Sequence, residues 1–253
     1  MTSLRRHPRR GWFITFEGPE GAGKTSQAAR LRESALEAGV DVVLTREPGG
    51  TVLGERIREI LLPLHIPGVT AQPTRPIDAR TDALLFNAAR AQLVAEVVEP
   101  ALSSGRLVIA TRFADSTLAY QGHGEGLPLD ELRALERFAT SGRKPDLTIL
   151  LDLRPEVGLG RKARREHNRF ESSFDLEFHR RVRNGFLALA REEPARFAVI
   201  DATRSADEVF ADVLAATGRL PDLELVPPVE KGRRGAVAHT PSEPEARKVR
   251  IQR

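Results

Sequence analysis

One stretch limits what this chain can fold into more than any other: Phe13-Ile-Thr-Phe-Glu-Gly-Pro-Glu-Gly-Ala-Gly-Lys-Thr25. A short apolar run of strand formers stops at Gly18, and a good helix opening restarts at Lys24. Gly18 to Thr25 fits G-x-x-x-x-G-K-S/T, with the strand before it and the helix after it that this pattern requires. Backbone N–H groups of such a loop point inward and, with the N-terminus of the following helix, cage phosphate oxygens. Gly18, Pro19, Glu20, Gly21, Ala22, Gly23, Lys24, Thr25 and Ser26 are therefore expected to hold a nucleotide polyphosphate. Lys24 would reach its β- and γ-phosphates, and the Thr25 hydroxyl would sit on Mg²⁺.

A strand-loop-helix of this type belongs in a parallel sheet, and the remaining pattern agrees. Strands are predicted at 12–16, 41–45, 107–110, 147–151 and 197–200, each short and almost wholly apolar, as strands buried on both faces are. Helices are predicted at 24–38, 52–62, 129–140, 155–165, 174–192 and 205–216. A long helix over 81–103 should break or bend near Pro100. Residues 63–80 carry four prolines and read as a surface loop. Alternating strands and helices imply right-handed crossovers and an α/β fold, a five-stranded parallel sheet with helices on both faces. Ligands of such sheets lie beyond the carboxyl ends of the strands. The segments after the first three strands are the phosphate loop, Arg46-Glu-Pro-Gly-Gly-Thr51 and Thr111-Arg-Phe-Ala-Asp-Ser-Thr-Leu-Ala-Tyr-Gln121.

Charge bears on possible partners. The chain holds 39 Lys and Arg against 35 Asp and Glu, but four arginines lie in residues 1–10, and residues 221–253 hold seven basic and five acidic residues. Residues 11–220 are left with 28 basic against 30 acidic residues, so the basic excess belongs to the ends. We expect a disordered basic leader at 1–10, one domain at 11–220 and a disordered charged tail from 221, with no specific nucleic-acid partner. No apolar run approaches the length of a membrane span and there is no cysteine, which suits a soluble cytoplasmic protein.

Taken together, Phe16-Glu-Gly-Pro-Glu-Gly-Ala-Gly-Lys-Thr25, Thr45-Arg-Glu-Pro-Gly-Gly-Thr51, Arg112-Phe with Asp115-Ser-Thr-Leu-Ala-Tyr-Gln-Gly122, and Pro145-Asp-Leu-Thr resemble the bacterial type of thymidylate kinase over roughly residues 11–217. The resemblance implies a P-loop kinase three-layer sandwich that phosphorylates dTMP with ATP and Mg²⁺, commonly as a homodimer. It implies that Glu20 faces the acceptor sugar's 3′-hydroxyl; a solvated loop acid is the alternative. It places Arg58 and Arg112 on the acceptor phosphate, a task that suits guanidinium forks, although Arg58 on a helix is also open to ordinary i,i+4 pairing. Phe86 would stack on thymine and Arg90, four residues on, would bond its carbonyl edge. Tyr120 would crowd the 2′ position, while Ser116, Thr117 and Gln121 would line the rest of the acceptor pocket. Residues 160–173 occupy the place of the family's lid, making Arg161, Arg165 and Arg169 candidates for the transition-state cation.

The chain departs from the family pattern in three places. Thr111 stands where relatives have an Asp that helps hold Mg²⁺, leaving Glu47 as the acid that would compensate. The lid's usual Asp-Arg-Phe-Glu reads Asn168-Arg-Phe-Glu171, and the stretch between Glu171 and Phe178-His179 is one residue longer than usual and lacks a second acid at its expected place. These departures keep two other functions in view: a P-loop kinase for another nucleoside monophosphate, and a nucleotide-binding protein with weakened catalysis.

Overall fold

The computed structural model describes residues 11–62, 77–162 and 174–225. The predicted leader at 1–10, most of the 63–80 loop, most of the 160–173 lid and nearly all of the tail lie outside the described residues. Five parallel strands, β1 (Phe13–Glu17), β2 (Val42–Arg46), β3 (Leu107–Thr111), β4 (Leu147–Asp152) and β5 (Phe197–Asp201), form one sheet in the order β2-β3-β1-β4-β5. The carrier of the glycine loop is thus the central strand. Register pairs Phe16 with Thr111 and Arg46 with Thr111, so the ends of β1, β2 and β3 open on the same edge.

The helices are α1 (Lys24–Glu37), α2 (Val52–Leu61), α3 (Ala79–Leu93), α4 (Glu99–Ser103), α5 (Ala114–Thr117), α6 (Leu129–Thr140), α7 (Pro155–Lys162), α8 (Leu176–Glu192) and α9 (Ala206–Thr217). Alternation along β1 explains the two-sided core. Ile14 and Phe16 pack with Leu31, Ile149 and Val213 on one face, while Phe13 packs with Leu93, Val108 and Phe113 on the other. A third cluster joins Tyr120, Phe178 and Phe186. Phe186 is fully buried there, and truncating such a ring to Ala costs about 3–5 kcal/mol.

The strand and helix predictions fall within a few residues of the observed elements, with three instructive differences. The helix expected over 81–103 begins at Ala79 and leaves α geometry at Val94–Val98, a π-helical turn, before resuming with Pro100 in the first turn of α4. A proline cannot donate to the preceding turn, and the widened turn accommodates this just upstream of the ring, so the expected irregularity near Pro100 takes the form of a π-helical turn. The segment after β3 turns helical from Ala114: α5 runs into a π-helical segment, Leu118–Gly124. Finally, the core does not stop at residue 220. Leu223 is buried with α1 and α9, and Leu225 packs beside it; two leucines among prolines and charges give too weak a pattern to find by periodicity.

Candidate active site

A cavity of about 330 Å³ opens where β1, β2 and β3 end, at the low end of the range for small-molecule sites. The phosphate loop contributes Glu20, Gly21, Gly23, Lys24, Thr25 and Ser26; the opposite wall is Arg46, Glu47, Pro48, Arg58, Phe86, Thr111, Arg112, Ser116, Thr117, Tyr120 and Gln121, with Arg161 alongside. Gly18, Pro19 and Ala22 lie behind the loop lining. The Lys24 ammonium is buried and donates to the carbonyl oxygens of Gly18, at 2.8 Å, and Pro19, at 2.7 Å, while Thr25 and Ser26 are exposed to the cavity.

The loop owes its shape to an absence of side chains. A Cβ on Gly21 would lie 2.2 Å from the Gly158 carbonyl oxygen, and one on Gly158 would lie 2.0 Å from that of Glu20. The first turn of α7 therefore seats directly on the phosphate loop. In the sequence the one sign of such an approach is a glycine, Gly158, inside a predicted helix.

On the other wall, Arg112 is the hub. Its Nη2 donates to Glu20 at 2.6 Å and to the Tyr120 hydroxyl at 3.0 Å; its Nη1 donates to Ser116 Oγ at 3.0 Å. Burial alone would lower its pKa, but Tyr120, Glu20 and Glu17 raise it, so it is a permanent cation. Burial likewise pushes the Tyr120 hydroxyl up, keeping it a neutral donor, and it bonds Glu20 at 3.0 Å. Arg58 donates to the Pro48 carbonyl at 2.8 Å. Its pKa is lowered first by burial, then by the like charge of Arg46, with Arg112 adding to this. Three guanidiniums that feel one another in one cleft are a seat for an anion.

Two predicted residues take places the sequence did not foretell. Phe86 lines the cavity, but Arg90, expected beside it, is fully buried and not among the lining residues. Its Nε donates to Glu47 at 2.8 Å, Nη1 to Asn87 Oδ1 at 3.1 Å, and Nη2 to the Phe113 carbonyl and Thr117 Oγ at 3.1 Å each. Arg90 thus builds the wall from behind. Glu47 has one carboxylate oxygen on Arg90 and the other, Oε1, buried without a hydrogen-bond partner; burial raises its pKa despite Arg90. The Glu47 N–H donates to the Thr111 carbonyl at 2.9 Å, which sets the only acid of this loop beside the threonine. Arg161 lines the cavity and donates to the Ala202 carbonyl at 3.1 Å. Arg165 and Arg169 lie outside the described residues.

Ser116, Thr117, Tyr120 and Gln121 all face the cavity because they share one side of the helical run after β3. Glu17 is a further functional candidate, one to which the phosphate-loop pattern assigns no role. It is fully buried at the end of β1 and accepts from the Phe113 N–H and the Ser116 hydroxyl, both at 2.7 Å.

A glycine-lined phosphate loop and a cationic, partly aromatic wall sharing one cleft at the carboxyl edge of a parallel sheet define a P-loop kinase of small nucleotides. Comparison with known proteins narrows the class. A family model described as thymidylate kinase matches residues 16–213. The thymidylate kinase of Deinococcus radiodurans is 53% identical over 207 residues, covering 81% of this chain and 96% of that protein. That of Chromobacterium violaceum is 48% identical over 213 residues, covering 84% and 96%. Among solved structures, thymidylate kinase from Ehrlichia chaffeensis superposes with a TM-score of 0.62 at 33% identity, covering 81% of this chain and 97% of that one. The chain belongs to the thymidylate kinase family.

Proposed function

We propose that the protein transfers the γ-phosphoryl group of ATP to dTMP, giving dTDP and ADP. The observation that carries this is the single cavity lined both by Lys24 and Thr25 and by Arg58, Phe86, Arg112, Tyr120 and Gln121. An oxygen of the acceptor phosphate attacks the γ-phosphorus while the bond to the β,γ-bridging oxygen breaks. The acceptor is already an anion, so no general base is needed, and positioning with charge neutralisation supplies the catalysis. Arg112 and Arg58 hold the acceptor phosphate. Lys24 accompanies the migrating group, and Arg161 at the cavity rim adds positive charge. Phe86 offers a face to the base, and Glu20, displaced from Arg112 by the phosphate, accepts from the sugar hydroxyl.

The residues present fit Mg²⁺. The exposed Thr25 hydroxyl and the orphaned Glu47 Oε1 are hard oxygen donors. Among the described residues no group of three or more acidic, His or Cys side chains could cage a metal, as suits an ion carried mainly by phosphates and water. When bound, Mg²⁺ neutralises charge on the donor phosphates. Glu47 takes the part that Thr111 cannot.

Among the described residues no helix is long and apolar enough to cross a membrane; nucleotide substrates and the lack of cysteine support a cytoplasmic setting. A homodimer is supported by exposed apolar side chains on neighbouring helices, Val52, Leu53 and Ile60 on α2, Leu84 on α3 and Phe138 on α6. Light scattering should give twice the chain mass, and Phe138→Glu should lower it toward one. Activity is tested by following ADP release with dTMP, dUMP, UMP, CMP and AMP side by side, with ATP and Mg²⁺. Preference for dTMP supports the proposal; preference for another acceptor, or ATP binding without acceptor-dependent ADP release, overturns it.

A further inference from the structure

Arg112 is one of the few non-glycine residues with left-handed backbone, at φ 69°. Such a conformation persists only where the surroundings over-determine it. Its own N–H donates to the Phe16 carbonyl at 2.9 Å. The next N–H, of Phe113, ends on Glu17 Oε1, and the Ser116 hydroxyl ends on Glu17 Oε2, while Ser116 Oγ accepts from Arg112 Nη1. One buried carboxylate therefore pins the turn immediately after its strained residue, where the Arg112 N–H is already tied to β1, and through Ser116 it holds the guanidinium itself.

The position is a costly one for a carboxylate. Burial, then Asp115, raises the Glu17 pKa to about 7, against the pull of Arg112, Ser116 and the Phe113 N–H. Asp115 on α5 is itself held by Arg196, at 2.6 and 2.9 Å. Arg90 of α3 and Glu136 of α6 are the further charged groups that feel Glu17. An amide at this place would spare the desolvation of a charge; the carboxylate's use lies in what it does to Arg112.

We propose that Glu17 is a positioning residue of the acceptor site, whose carboxylate clamps the 112–116 turn and so holds the Arg112 guanidinium ready for the phosphate of the incoming monophosphate. The inference rests on the reading of this cleft as the dTMP site. With Glu17 ionised, both oxygens accept, and Ser116 keeps a lone pair for Arg112. Once a proton occupies one oxygen, the Phe113 N–H loses its acceptor, or Ser116 must turn from donor to acceptor, and the orientation that aims its lone pair at Arg112 is no longer fixed by Glu17.

The test is steady-state kinetics of wild type and Glu17→Gln between pH 6 and 8.5. At pH 8 the KM for dTMP should rise tenfold or more, with the KM for ATP within twofold and the Tm not lowered. The ratio of wild-type to variant kcat/KM for dTMP should approach one below pH 7 and grow above it. The acceptor's own second phosphate ionisation, near pH 6, affects both enzymes and cancels in this ratio. A dTMP KM within twofold of wild type, a ratio flat in pH, or both KM values rising together with a lowered Tm would overturn the assignment. Should Glu17→Gln fail to fold, Ser116→Ala removes one arm of the clamp: a several-fold rise in dTMP KM is expected, and an unchanged value refutes the relay. Wild-type enzyme that does not phosphorylate dTMP sinks the reading of the cleft itself, and this is seen before any variant is made.

Discussion

The two walls of the cleft are made in different ways. The phosphate loop is backbone: one contiguous stretch whose N–H groups and glycines shape the site, with Lys24 as its one buried cation. The facing wall is side chain, drawn from the end of β2, from α2 and α3, and from the helical run after β3. A backbone-made site is injured by adding an atom. A side-chain-made site is injured by removing one, and its charges must be compensated one by one, as Arg112 is by Glu20 and Arg90 by Glu47.

The sharpest test of the first wall is its exception. Lys24→Ala leaves the loop backbone in place, so the far-ultraviolet circular dichroism should be that of wild type, while kcat falls by roughly 10³-fold or more, as expected when a group that stabilises the transferring phosphoryl is lost. Wild-type-like turnover would refute the donor assignment. On the second wall, Arg112→Ala removes the anion's main partner and leaves Glu20 with only Tyr120 among the bonds described above. The KM for dTMP should rise by roughly 10²-fold, or about 2.7 kcal/mol, in the range of lost charge-assisted contacts, with the KM for ATP little changed. Equal effects on both substrates would erase the distinction between the walls.

The same distinction explains what could be read without coordinates. The phosphate loop was legible because its chemistry is local, the motif and its flanks lying within a few residues. The sheet was legible because its strands are short apolar runs separated by amphipathic helices. The side-chain wall needed family resemblance to bring Arg58, Phe86 and Arg112 together, since no spacing along the chain states that α2, α3 and the segment after β3 meet. Arg90 shows the limit. Four residues from Phe86, it is fully buried, and the Glu47, Asn87 and Thr117 side chains that engage its nitrogens come from positions that no spacing along the chain brings to it. Glu17 was passed over because a carboxylate inside an apolar strand reads as part of a motif, and its two partners lie 96 and 99 residues away.

Gly158→Ala probes the first wall by addition. The new Cβ would meet the Glu20 carbonyl oxygen at 2.0 Å, so α7 or the loop must shift, at a cost of about 1–3 kcal/mol. A lowered Tm with a several-fold higher KM for ATP is expected. Wild-type ATP affinity in the variant would show that the loop does not depend on α7 for its shape.

The mildest effect concerns the charges packed behind the second wall. Glu136 on α6 is buried, its Oε1 has no hydrogen-bond partner, and its pKa is pushed up to about 8, first by burial, with Asp115, Glu47 and Glu17 adding to it and Arg90 opposing. The unfolded chain releases this proton near 4.5, the folded chain near 8. Between those values the native state binds more protons at this group than the unfolded state, so the contribution of Glu136 to stability is greatest below about pH 4.5 and declines as pH rises toward 8. Glu136→Gln removes the dependence. Its Tm should match wild type near pH 5 and exceed it at pH 8.5 by several degrees, at about 2–4 °C per kcal/mol for a chain of this size. A Tm difference that does not vary with pH would mean that Glu136 is ionised in the fold at no cost. The side-chain wall would then carry its charges as cheaply as the loop carries its glycines, and the contrast between the two would lose its energetic side.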